Sequence, residues 1–224
     1  MAQKKAASGV VEDAKRINVL STPIRIELVT AIQALGGVAA VAELATQLGR
    51  SADGLYYHLR TLVRGGLLEE IIDTDARRYR LVTPPGERMR LRYKPGVTAN
   101  AKAVTRVAAS MSRLAQRDFT RALANPATVA EGPARELWVA RLRGWASPGD
   151  LTEVNSLLQR ISDVLLGTRP KADGKLVAFH WILAPIDAKP ARRNTPSEPA
   201  IPRPRKVGAP SKKTRAVPKL KTFF

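Results

Sequence analysis

The residues with the clearest chemical potential lie between 51 and 65, where Leu55, Leu59 and Leu62 recur at helical spacing. If those leucines turn inward, Ala52, Asp53, Tyr56, Tyr57 and Arg60 occupy the exposed arc, and Arg64 stands near the helix end. This set suits a polyanion. Arginine reads guanine with a two-pronged fork or grips a phosphate, and tyrosine hydroxyls reach phosphates or base edges. Adjacent tyrosines sit about 100° apart on a helix. At least one of them must therefore be exposed, and Tyr56 is the favoured contact. Asp53 carries the wrong charge for a polyanion unless it accepts from a cytosine amine, and the favoured expectation is that it folds back onto the helix start, where a negative charge is stabilised. His58 reads equally well as a phosphate contact or a half-buried packing residue.

Catalytic chemistry is hard to build from this chain. It has no cysteine, and its two histidines, His58 and His180, are far apart in sequence. No nucleophile with a base, no metal-ligand spacing and no glycine-rich phosphate loop is visible, so neither an enzyme, a metal site nor a cofactor is expected. Charge points the same way as the arginines. Lys and Arg number 38 against 19 Asp and Glu, a formal net charge of +19 over 224 residues, which is the footprint of a nucleic-acid or membrane-surface binder. The membrane reading weakens because no stretch approaches the roughly 20 apolar residues of a spanning helix. The start, AQKKAASGVVEDAKR, has no apolar signal core. A cytoplasmic, nucleoid-associated location is the expectation.

The elements that must position the arc follow from periodicity and punctuation. Val10, Ala14, Ile17 and Leu20 predict a first helix; Ser21-Thr22-Pro23 caps a second, striped by Ile24, Leu28, Ile32 and Leu35 and ended by Gly36-Gly37. Val41 to Leu48 is a short third helix closed by Gly49, Ser51 caps the fourth, and Gly65-Gly66 stops it. LLEEIIDT and RRYRLV then read as a hairpin joined by 73 to 76. Three helices and a hairpin in this order are those of a winged helix-turn-helix.

Beyond Pro84 to Gly96, a connector with a short extended piece at 89 to 93, a long alanine-rich helix is expected over 97 to 124. Its stripe is Val104, Ala108, Met111, Ala115, Phe119 and Ala122, small enough for two helices to approach closely. RELWVARLRGW alternates like a half-buried strand over 135 to 145. Ser147-Pro148-Gly149-Asp150 forms a capping box for a helix striped by Leu151, Val154, Leu158, Ile161 and Leu165. KLVAFHWIL, 175 to 183, is apolar on both alternating sets, as a strand covered on two faces would be. Trp138, Trp145 and Trp181 read as core. The last 37 residues hold seven of the 16 prolines and 11 Lys or Arg against Glu198 alone, which predicts a disordered basic tail. The tail carries +10 and leaves +9 on residues 1 to 187.

The combination Leu20-Ser21-Thr22-Pro23-Ile24-Arg25, Val41-Ala42-Glu43-Leu44-Ala45 through Leu48-Gly49-Arg50-Ser51, His58-Leu59-Arg60-Thr61-Leu62 through Gly66-Leu67-Leu68, and Arg77-Arg78-Tyr79-Arg80-Leu81 resembles the ArsR-like winged-helix transcriptional regulators over residues 10 to 83. The resemblance implies that the third and fourth helices form the helix-turn-helix, that 51 to 64 enters a major groove, and that 73 to 78 is the wing. The DNA-binding set it implies is Arg50, Ser51, Ala52, Tyr56, Tyr57, Arg60, Arg64, Arg77 and Arg78, the last two on phosphate or minor groove. Metal-sensing members use cysteines or clustered His and carboxylates, which this chain lacks.

The expected organisation is therefore α+β. A winged helix-turn-helix DNA-binding domain occupies 1–90, a small α/β dimerisation domain with the long helix 91–187, and a Pro/Lys/Arg-rich tail 188–224. The expected partner is double-stranded DNA, bound by a homodimer joined through 97–124. A small-molecule effector on 97–187 stays open, and so does a rival reading as a nucleoid-type protein coating DNA without sequence preference.

Overall fold

A computed structural model describes residues 9–73, 76–84, 87–167 and 174–188. Two compact units emerge, 1–182 and 183–224; within the second only 183–188 are described, so the basic tail from 189 onward lies outside the described residues. The first unit runs β1 (Val10–Val11), α1 (Ala14–Val19), α2 (Pro23–Ala34), β2 (Val38–Ala40), α3 (Val41–Leu48), α4 (Ala52–Arg64), β3 (Leu68–Asp73), β4 (Ala76–Leu81), β5 (Arg90–Leu91), α5 (Thr98–Leu123) and α6 (Pro148–Gly167).

The helices of the N-terminal half form where the punctuation places them. Pro23 opens α2, and Gly49 takes a left-handed φ of 60° to close α3, a backbone that residues with a Cβ resist. Ile17, Leu28, Ile32, Leu44, Leu55, Leu59 and Leu62 are all buried in one core that also takes in Leu67, Leu68 and Tyr79. The antiparallel β3–β4 pair runs from Leu68 opposite Leu81 to Asp73 opposite Ala76. Residues 74 and 75 of the expected connection lie outside the described residues.

Several expectations are corrected. Val10 is not the first turn of a helix: it pairs in β1, parallel to β5, with Val10 opposite Arg90. Asp13 accepts from the Arg16 N–H at 3.0 Å and starts α1 only there. Helical spacing at 10, 14 and 17 coincides with a strand followed by a cap, because two intervals are too few to separate the periods. β2 was not foreseen. It adds to β4 as the third strand, order β2-β4-β3, and buries Ala39.

The buried seam of α5 is Asn100, Ala103, Val107, Ser110 and Leu114, packed on α1 and α2, and the stripe that begins at Val104, expected to face a second helix, runs beside it. Of that stripe, Val104 packs partly on the core and Met111 is exposed. Alternating steps of three and four fit both stripes in an alanine-rich helix, and the faces offered by α1 and α2 select one. Asn100 anchors the helix start. Its Nδ2 donates to the Glu12 and Arg92 carbonyls, each at 3.1 Å, and its Oδ1 accepts from the Lys94 N–H at 2.9 Å. Asn100→Ala strands three backbone groups at a buried site and is expected to cost roughly 2–3 kcal/mol, read as a lower urea midpoint at unchanged slope.

The capping box of α6 forms as expected: the Ser147 N–H donates to Asp150 at 2.9 Å and the Asp150 N–H donates back to the Ser147 hydroxyl at 3.2 Å. By contrast, no strand forms over 135–145 or 175–183 among the described residues, so the expected small sheet is absent. Trp138 and Trp145 are exposed instead of core. Alternation prepares a strand, but a strand persists only where a neighbour takes its backbone hydrogen bonds.

Candidate nucleic-acid interface

α4 sits on the core through Leu55, Leu59 and Leu62 and turns its other side outward. Arg16 of α1 fastens its end, donating from Nε to the Gly65 carbonyl at 3.2 Å and from Nη2 to the Gly66 carbonyl at 2.7 Å. Two carbonyls beyond the helix terminus thus have a cationic partner. Gly65 fits beneath Val19, whose Cγ2 would stand 2.9 Å from any added Cβ.

The outward side is ordered differently from the sequence expectation. Tyr57 is 61% exposed, whereas Tyr56 is half-buried against the core. Tyr57, Arg60 and Arg64, spaced three and four residues apart, line a groove of about 410 Å³ with Val63 and with Glu70 of β3. Val63 and Glu70 carried no signal in the sequence, because the groove exists only where β3 passes the C-terminal half of α4. Arg60 donates from Nε to the Tyr56 carbonyl at 3.4 Å, a long bond. Among the described residues neither Arg60 nor Arg64 is in an ion pair.

Arg77 and Arg78 differ from them. Arg77 pairs with Glu70 at 2.9 Å and Arg78 with Glu43 at 3.1 Å, and Glu43 also accepts from the Ala40 N–H at 2.6 Å. Both guanidiniums are therefore already occupied before any ligand arrives. Ser51 begins α4 without a side-chain cap bond, Ala52 is half-buried, and Asp53 is exposed in the first turn. Arg50 pairs with Glu27 of α2 at 3.3 Å, and the other oxygen of Glu27 takes Arg117 of α5 at 2.7 Å. The Glu27 hydrogen bond, followed by that of Asp118, holds the Arg117 guanidinium protonated more firmly than usual.

His58 is half-buried beside Tyr57, ring centroids 5.2 Å apart in an edge contact, and its Nδ1 has no hydrogen-bond partner among the described residues. Burial pushes its pKa down from the ordinary 6.5, and Arg25 and Arg50 add to the shift. Arg25, whose Nη2 donates to the Thr22 hydroxyl, is a cation near α4 that sequence reasoning passed over. A lowered folded-state pKa means that the unfolded chain takes the proton first, so stability held above about pH 6.5 falls as pH drops through that value. The same burial acts on His180. The urea midpoint is expected to fall between pH 7 and 5, and to fall less in His58→Asn.

Two helices joined at a left-handed glycine, the second backed by leucines and fronted by cations, constitute a helix-turn-helix domain within a mixed helix and strand fold. A family model described as a helix-turn-helix domain matches residues 20–71, from the end of α1 into β3. A search of curated proteins finds no match to this chain. The domain type indicates a DNA-binding regulator. No helix among the described residues is long and apolar enough to cross a membrane.

Proposed function

We propose that this chain is a transcriptional regulator of the winged helix-turn-helix, ArsR-like type, reading a major groove with α4 and reaching backbone or minor groove with the β3–β4 hairpin. One observation carries the reading: Tyr57, Arg60 and Arg64 share a groove on the side of α4 opposite its leucines, within the helix-turn-helix match. A helix fits the major groove of B-DNA, and unpaired guanidiniums there are free to take base edges. The contact set is Arg50, Ser51, Ala52, Tyr56, Tyr57, Arg60 and Arg64, with Tyr57 ahead of Tyr56 on exposure. Arg77 and Arg78 join once DNA phosphates displace their carboxylate partners. The protein works as a cytoplasmic, nucleoid-associated homodimer on paired half-sites, with the long helix contributing to the contact; 97–187 is where an effector would bind. It is a binder and not an enzyme.

The net charge of +19 favours a second reading, a protein that coats DNA irrespective of sequence. The test is selection and sequencing of bound genomic fragments, followed by salt titration of the full chain and of a chain ending at 187. The regulator reading expects enriched fragments whose preference survives truncation, while the affinity on all DNA falls and the salt slope flattens as phosphate contacts are lost. No enriched fragment, together with loss of all binding on truncation, would establish the coating reading instead.

A further inference from the structure

Residues 137–146 and 174–182 combine three properties that conflict in a lone protomer. Their sequences alternate as strands do, and the second is apolar on both alternating sets. Among the described residues their backbones make no backbone hydrogen bond. Most of their apolar side chains face solvent, Trp181 being half-buried beside the Arg88 guanidinium. Trp138 is 67% exposed, Trp145 73% and Leu142 92%, and Val139, Leu176, Phe179 and Ile182 are exposed as well. At roughly 150–250 Å² per aromatic side chain and about 100 Å² per aliphatic one, Trp138, Leu142, Leu176, Phe179 and Ile182 leave on the order of 450 Å² of apolar surface bare. A standard interface covers about 800 Å² per partner.

We propose that these two segments are the interface with a second copy of this chain, pairing as β-strands across a two-fold axis. Within one protomer the second segment is tied just ahead of the first: Lys175 bonds Glu136 at 2.7 Å and donates to the Ala127 carbonyl at 3.3 Å. They do not pair beyond it. A second copy brings the same two unpaired backbones and the same apolar faces, so one isologous contact satisfies both sets together. The charge pattern fits this occupant. Arg141 and Arg143 alternate with Trp138, Ala140 and Leu142, so like charges of the two copies stay on the solvent side, together with Val139 and Trp145, while the side of Trp138, Ala140 and Leu142 meets the partner. The proposal rests on the homodimer of the preceding reading and places its principal contact beyond α5.

All three tryptophans of the chain, Trp138, Trp145 and Trp181, lie in these segments, so intrinsic emission reports on them alone. The experiment is sedimentation equilibrium of the full chain, with tryptophan emission recorded over the same dilution series. The wild type is compared with Leu142→Glu and with Met111→Glu on the exposed side of α5. Expected are a wild-type dimer whose emission shifts red as it dissociates, and a Leu142→Glu dimer constant weakened roughly 100-fold or more. Because Leu142 touches almost nothing in the protomer, far-UV circular dichroism and the melting curve of dilute Leu142→Glu should match those of dilute wild type. A monomeric wild type overturns the proposal and the dimer reading with it, while selective fragment binding would still stand. A wild-type dimer that survives Leu142→Glu but separates in Met111→Glu, or whose emission ignores dilution, keeps the dimer and removes this interface.

Discussion

Leu59→Ala is expected to lower the unfolding free energy by roughly 2–5 kcal/mol, the range for deleting a leucine from a packed core. Leu59 is 0% exposed and lies between Leu55 and Leu62 on the fully buried face of α4. Because a domain's whole stability is about 5–15 kcal/mol, the loss removes a large share of it. Urea unfolding followed by circular dichroism measures the change. A cost under about 1 kcal/mol would mean that α4 is held by something other than its leucines. Tyr57→Ala, two residues away on the exposed side, should stay within about 0.5 kcal/mol. The pair of variants separates the residues that build the helix from those that use it.

Arg60→Ala is expected to weaken binding to a selected site by about 1–3 kcal/mol, the discrimination one guanidinium fork provides, with little change in salt slope. The magnitude depends on the state of the free side chain. Arg60 has only the long bond to the Tyr56 carbonyl to give up, whereas Arg77 and Arg78 must first leave Glu70 and Glu43. Truncating either of those should cost less. Anisotropy titrations on the selected site and on unrelated DNA, at several salt concentrations, read the difference. Equal loss on every sequence with a slope reduced by about one would assign Arg60 to a phosphate and leave base reading to Tyr57 and Arg64.

Much of the helix-turn-helix is legible in the chain because its signals are local. Leucines at 55, 59 and 62, proline at 23 and glycine at 49 act through their own backbone or their own helical face, and the structure has them where pattern alone puts them. The candidate site is legible only in part. Periodicity says that Tyr56 and Tyr57 cannot both be buried, yet the core edge beside α4 decides that Tyr57 is the exposed one. The same holds for α5, where two stripes satisfy the spacing and the surfaces of α1 and α2 choose the one through Ala103 and Val107. Ion pairing of Arg77 and Arg78 also escapes the sequence, since Glu70 and Glu43 meet them through strand register and the approach of α3.

Residues 51 to 65 show the division most clearly. A leucine spacing is a property of the chain, and it commits the segment to an amphipathic helix with a fixed inner face. The groove of Tyr57, Arg60 and Arg64 is a property of the assembled domain. It needs β3 and Glu70 alongside, and which side chains flank a strand is set by contacts between residues distant in sequence, which no local pattern encodes.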